Sequence, residues 1–496
     1  MVQIGDSLPL HMEGKLMGSG SVVSLEEVFR SREGVEFRRR LHERFDAWLD
    51  GLEEGMKEPH PNLEQLVQEV FTQRQGLTGL IAEEVVKQQH KGMLGQETAP
   101  CPRCGQELSA RGPHCRTLET MVGELSLSRP YFYCSECREG FYPLDEALEL
   151  SPRRKQGDMQ KAAASLAAEV PYETASALFG ELTGLSFSDH SAHEVVGELT
   201  EDLTVLSVSP SQEEIAQKVA LVAQGKKWRP ILVLGIDGAD VPTRPEQAKG
   251  SRPGRKKQRG KRARWQGQWR EAKGFRFYLV DGKRIEHLLS WHQVQSDEEL
   301  ADALQQVKEA GLIPEEQVRL CVVADGAKWI WKQVKGLFPS AVEILDYYHC
   351  SEHLHKVASL QYEDHPEKER EWIEATLARL FCAEVRGVIW GLQRMKTKDA
   401  EAAKEIRKLI GYLTNNQDRV DYGFARKGGY PIGSGGIESA HKFISHVRLK
   451  RSGAWWYVEK ANGMLALRCA KYNGTFDRIF DAYKHKVKRN HGKRPS

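Results

Sequence analysis

Three acidic residues and four cysteines are the places in this sequence where side-chain type and spacing imply chemistry. Asp237 follows the apolar run ILVLGI, Asp325 follows LCVVA, and each precedes a glycine. Neighbouring strand ends in one sheet bring two such carboxylates close together, and hard oxygen donors there suit magnesium or manganese. Asp-Gly is also a common turn, so either aspartate alone is structural more often than catalytic. A third acid, Glu438, stands in YPIGSGGIESAHKF at the start of a predicted helix, with Lys442 four residues on along the same face. Acids are favoured in the first turn of any helix. Here, however, adjacent glycines permit close backbone approach, and Lys442, His446, Arg448, Lys450 and Arg451 surround a nearby anion with positive charge. Three acids beside a basic wall describe a phosphoryl-transfer site acting on a polyanion.

The cysteines form two close pairs, Cys101 and Cys104 in CPRC and Cys134 and Cys137 in CSEC, with 29 residues between them. Two such knuckles bring four thiolates to one tetrahedral ion, the arrangement of structural zinc. The competing readings are a redox CxxC pair and chance pairing. His114 and Cys115 lie between the knuckles and offer a substitute ligand. The other cysteines are scattered singly, which fits a reducing compartment and no disulfide framework.

These residues need a scaffold, and the chain changes grammar several times. The first segment, 1–97, reads as helical, with Phe37, Leu41, Phe45, Trp48 and Leu49 near the spacing of one helix face. Segment 98–150 is a small β module in which Leu125, Leu127, Tyr131 and Tyr133 share one parity. Segment 151–225 is helical again and can form a helix-turn-helix, with Gly184 in the turn and Ser188 capping the last helix. Asp189, Glu194 and Glu198 on that last helix weigh against reading DNA with it. From 226 to 349 strand candidates at 231–236, 275–280, 318–324 and 341–345, with a helix over 297–310, indicate an α/β sheet. Segment 350–430 carries only helical signals and interrupts that domain, 431–480 completes it with the Glu438 helix, and 481–496 is a basic tail. The fold class expected is multidomain α+β.

Lysines and arginines number 72 against 69 acids, a net charge of +3, but the charge is segregated. The run 249–264 holds nine basic residues and no acid. Among them Arg255, Lys256, Lys257, Arg259, Lys261, Arg262 and Arg264 can neutralise a row of phosphates, with Trp265 and Trp269 placed for bases or sugars. DNA is the partner expected. No apolar run approaches the ~20 residues that cross a bilayer, and no secretory leader pattern opens the chain, so a cytoplasmic, nucleoid-associated protein is expected. Trp329, Trp331, Trp455 and Trp456 read as core or interface.

The order strand-Asp, strand-Asp, helical insertion, helix-Glu resembles that of RNase H-like DDE transposases. LDYYHCSEHLHK adds a DxxH element, Asp346 and His349, after the second aspartate. Together with GIDGADVP, VVADGAKW and GSGGIESAHK, and a preceding paired CxxC module, it looks like the ISKra family of bacterial insertion-sequence transposases. That resemblance implies an RNase H-like α/β catalytic domain with a helical insertion, preceded by a zinc-ribbon-like β module and helical regions. It implies Asp237, Asp325 and Glu438 as catalytic triad holding two Mg2+ or Mn2+ ions, with Asp346, His349 and Lys442 in support. It further implies strand cleavage and strand transfer at element ends and in target DNA, by a homo-oligomer on DNA, with zinc structural. The alternatives are an RNase H-like nuclease or resolvase without strand transfer, and a domesticated DNA-binding protein, which should have lost a carboxylate.

Overall fold

The computed structural model describes residues 32–55, 61–245, 267–282 and 284–491. The basic run 249–264 lies outside the described residues. The chain is mixed α+β and divides into two compact units, one built from 1–162, 178–187 and 487–496, the other from 163–177 and 188–486. No helix among the described residues is long and apolar enough to cross a membrane.

In the first unit two long helices, Arg32–Gly55 and Leu63–Gln89, pack side by side. The second begins at a capping box, in which Asn62 and Gln65 exchange side-chain and backbone hydrogen bonds. Short strands follow: β1 (Thr98–Pro100), β2 (Glu107–Ser109), β3 (Pro113–Thr120), β4 (Gly123–Pro130), β5 (Phe132–Cys134) and β6 (Glu139–Phe141). They pair in sequence as three antiparallel hairpins. Along β4 burial alternates, and Leu125 and Leu127 join Leu118 and Leu144 in a small core. This is the period-two pattern of a half-buried strand.

The second unit is built on a mixed five-stranded sheet of β7 (Ile231–Thr243), β8 (Gln268–Asp281), β9 (Arg284–Val294), β10 (Arg319–Ala324) and β11 (Val342–Leu345). The strand order is β11-β10-β7-β8-β9. The first three strands run antiparallel in succession, while β10 and β11 join parallel to β7. Parallel neighbours need a crossover, and the helices Asp297–Glu309 and Lys328–Leu337 lie in the connections before and after β10. The first half of β7 is buried throughout, as is most of β10. Each such aliphatic side chain removed from water contributes about 1.5–3 kcal/mol. After β11 the chain is helical from Tyr347 onward, and a short helix, Gly435–His441, carries Glu438 back to the sheet.

Candidate functional site

Sheet register sets the first two carboxylates. Ile236 on β7 is opposite Ala324 on β10, so Asp237, midway along β7, and Asp325, just past the end of β10, are the next residues at one level of adjacent parallel strands. Each is anchored locally. Gly238 N–H donates to Asp237 Oδ1 at 2.8 Å, and Ala327 N–H donates to Asp325 Oδ1 at 2.9 Å. The Trp331 indole N–H holds the Asp325 carbonyl at 2.9 Å, which gives this buried tryptophan a positioning part beyond the core role read from sequence.

Glu438 reaches the same place because its helix lies directly on the sheet. A Cβ on Gly235 of β7 would stand 2.9 Å from Ile437 Cβ, and one on Gly436 would stand 2.4 Å from the Tyr278 ring. Only glycine at these positions lets helix and strands approach so closely. Buried Arg276 of β8 ties the helix down by donating to the Gly436 carbonyl at 2.6 Å and to Ser439 Oγ at 3.0 Å. From the other side Asp346, only 3% exposed, caps the helix Tyr347–Gln361 by accepting from Tyr348 and His349 N–H. Its second oxygen accepts from Ser434 N–H at 2.8 Å, and Ser434 Oγ donates to Glu438 Oε1 at 2.6 Å. Asp346 therefore touches the Glu438 loop and its own helix cap, and acts on Glu438 only through Ser434.

Asp237 feels the other two acids. Burial, followed by the charges of Asp325, Glu438 and Glu271, pushes the Asp237 carboxyl up to about 6, against a lowering hydrogen bond from Gly238. Glu271 is a fourth acid that sequence reasoning missed; its carboxylate lies across Gly238, filling the space a side chain there would need. The three carboxylates are not drawn together as tightly as the cysteines: among the described residues, only Cys101, Cys104, Cys134 and Cys137 bring their ligand atoms all within 4.8 Å of one another. Glu438 is exposed and engaged with Ser434, so a change of side-chain rotamer is open to it.

Neither the His349 nor the Lys442 side chain is joined to the three acids by a hydrogen bond or ion pair among the described residues. His349 is half exposed, with Nδ1 3.9 Å from Glu352 and its ring against His353. Lys442 is exposed at the start of a π-helical turn, Lys442–His446. Buried Arg468 satisfies the carbonyls freed by that turn, donating from Nε to Phe443 O at 2.8 Å and to Ile444 O at 3.0 Å. His441, in contrast, was not singled out in the sequence and lies inside the cluster. It is 3% exposed, with Nε2 3.6 Å from Asp237 Oδ2. Burial, then His446 and Lys450, pushes its imidazole down to about 4, against the Asp237 backbone, which raises it. The spacing of three from Glu438 was the available signal.

A model of the uncharacterised protein family UPF0236 matches residues 62–486. The chain belongs to that family. No curated protein matches it. Among solved structures, the Drosophila P element transposase strand transfer complex is similar over 66% of this chain and 80% of that chain, at 10% identity and a TM-score of 0.23.

The second cluster of this UPF0236 chain is in the first unit. Cys101 Sγ is 3.9 Å from Cys137 Sγ, and Cys104 Sγ is 3.6 Å from Cys134 Sγ. The turn β1–β2 presents the first pair and the turn β5–β6 the second. Backbone N–H groups of Cys104 and Arg103 pull the Cys101 thiol down to about 7, while the Cys104 thiol and then burial push Cys137 up to about 12. The four could bind a metal such as zinc. His114 and Cys115 have other partners, Tyr142 Oη at 2.9 Å and Ser126 Oγ at 3.0 Å.

Proposed function

We propose that this protein is a DDE-type transposase of the RNase H-like kind, which cleaves DNA at the ends of an insertion sequence and joins the freed ends to target DNA. The reading rests above all on one observation: Asp237, midway along β7, and Asp325, just past the end of the parallel β10, stand at the same level, and Glu438 lies near enough to raise the Asp237 carboxyl further. Three strands antiparallel in succession, extended by two parallel ones, support the RNase H-like assignment. Membership of the ISKra group follows from the sequence motifs and is part of the same proposal, as is the division into helical, zinc-ribbon-like, catalytic and inserted helical segments.

The donor set fits magnesium or manganese. All three groups are carboxylates, and the Asp237 charge, disfavoured first by burial and then by its acidic neighbours, is what a divalent cation would compensate. Asp237, Asp325 and Glu438 would hold the ions, which when bound supply charge for the attacking and leaving oxygens of an in-line displacement at phosphorus. The chain's own contribution is placement. Gly238, Ala327 and Trp331 fix the two aspartates, while Gly235, Gly436, Arg276 and Asp346 seat the Glu438 helix and its preceding loop. Lys442 and Lys450 are exposed on the helical stretch following Glu438 and would meet the phosphate backbone there. Arg255, Lys256, Lys257, Arg259, Lys261, Arg262 and Arg264 are proposed as further phosphate contacts, and zinc at the four cysteines as structural.

The test uses purified full-length protein, Mg2+, a DNA fragment carrying the ends of the element that encodes it, and a target plasmid. New 3′ hydroxyl ends and joined products are expected. Replacing Asp237 or Asp325 by Asn, or Glu438 by Gln, should abolish both while leaving DNA binding nearly unchanged. Cleavage retained in those variants refutes the assignment, and cleavage without joining favours a nuclease.

A further inference from the structure

Behind Asp237 lies an arrangement that the proposed chemistry leaves unused. Asp237 of β7 pairs with Gly274 of β8, and Gly274 pairs with His292 of β9, so the three share one rung of the sheet. Residues on one rung project from the same face. Gly274 contributes no side chain, and the His292 imidazole occupies that space: a Cβ on Gly274 would stand 2.2 Å from His292 Nδ1. His441 stacks on His292 with ring centroids 4.7 Å apart and planes 24° from parallel. The outer ring of the stack then meets Asp237, with Nε2 3.6 Å from Oδ2.

Both imidazoles are buried, at 0% and 3% exposure, and none of their four ring nitrogens makes a hydrogen bond of normal geometry among the described residues, although the Asp237 carbonyl lies near enough to favour a proton on His441. Buried polar nitrogens without partners are rare because they lose their water without compensation. One of these four is aimed at a carboxylate, and a shift of about 0.7 Å brings it into hydrogen-bond range. We propose that His441 is the positioning residue for Asp237, its Nε2–H donating to Oδ2 while Gly238 N–H holds Oδ1, with His292 as the wall that keeps the His441 ring from turning away.

The consequence is a carboxylate fixed in plane. Each oxygen keeps a lone pair on its open side, and a cation arriving there finds the ligand already oriented. Gly274 is part of the device, since any larger residue drives His292 out of the rung. The inference rests on the reading of Asp237 as a cation ligand.

The test measures Mn2+ binding to the full-length protein without DNA, by the electron paramagnetic resonance signal of the free ion. H441F keeps the ring volume and the stack but has no N–H, and H441Q restores a donor. H441F is expected to weaken Mn2+ binding about 10–100-fold, the usual effect of losing a group that orients a ligand. H441Q should recover most of that loss, whereas a merely structural role predicts that both variants fall together, a result that overturns the proposal. Affinity unchanged in H441F while D237N has lost it also overturns the proposal and leaves the carboxylate site standing. Affinity unchanged in D237N overturns the cation-site reading itself, and this inference with it. If H441F does not fold, G274A decides: weakened binding with every cluster residue intact supports the device, and wild-type affinity refutes it.

Discussion

Asp237→Asn should stabilise the metal-free protein, an uncommon result for a substitution at a half-buried acid. The folded Asp237 carboxyl is raised from an ordinary 3.8 to about 6, burial first and the neighbouring acids next. At about 1.4 kcal/mol per tenfold change, the ionised side chain disfavours the fold by at most ~3 kcal/mol. Because 36% of it is in water, screening reduces this to about 1–2 kcal/mol. The sign follows from linkage. A group whose folded value is raised leaves stability intact below about pH 4, withdraws it as pH rises through about 6, and has withdrawn it fully above. Asparagine carries no charge and keeps the oxygen that accepts from Gly238 N–H. Thermal unfolding in EDTA should therefore give nearly equal midpoints for wild type and D237N near pH 4 and a lead of about 2–3 °C for D237N by about pH 8. Adding excess Mn2+ should reverse the order, since only the wild type gains the ligand-linked term. A D237N protein less stable than wild type at about pH 8 in EDTA would refute the reasoning.

Three further outcomes are expected. Cys104→Ser should reduce zinc, measured by elemental analysis, from about one ion per chain to near none, and unfolding of the first unit should cease to respond to chelators. Gly436→Ala pushes a methyl to 2.4 Å from the Tyr278 ring and should cost about 1–3 kcal/mol by overpacking, with slowed cleavage as the Glu438 helix lifts. Gly435→Ala, which meets nothing within 4 Å, is the matched control in the same unfolding and cleavage assays. Deleting 249–264 removes nine basic residues and should weaken DNA binding while flattening the plot of log affinity against log salt by several units.

The strands that carry the aspartates were legible because burial on both faces leaves an unbroken apolar run, and the run stops where the carboxylate begins. Their outer halves were not. β7 continues to Thr243 and β8 starts at Gln268 because the two pair as one long hairpin, and those rungs, such as Pro242 opposite Trp269, carry mixed residues with no apolar run. β9 carries no such signal. Its sequence, RIEHLLSWHQV, mixes histidine, glutamate and glutamine with leucine, and as an edge strand it is completed by helix Val458–Asn473, whose Asn473 and Asn462 accept from Ser290 and Val294 N–H at 2.8 Å. Glu438 was readable from its glycines, and Asp346 from its motif. What Asp346 does could not be read, since capping one helix while holding Ser434 depends on where the loop returns. His292 and His441 stayed hidden for the same reason: their meeting depends on the register of three strands and on Gly274 leaving room.

Changing the hardness of one ligand tests most directly whether these acids hold catalytic cations. Asp237→Cys and Asp325→Cys replace a carboxylate with a thiolate, which accepts manganese far better than magnesium. DNA cleavage by both variants should be lost in Mg2+ and partly restored in Mn2+. Full activity of either variant in Mg2+ would contradict the account.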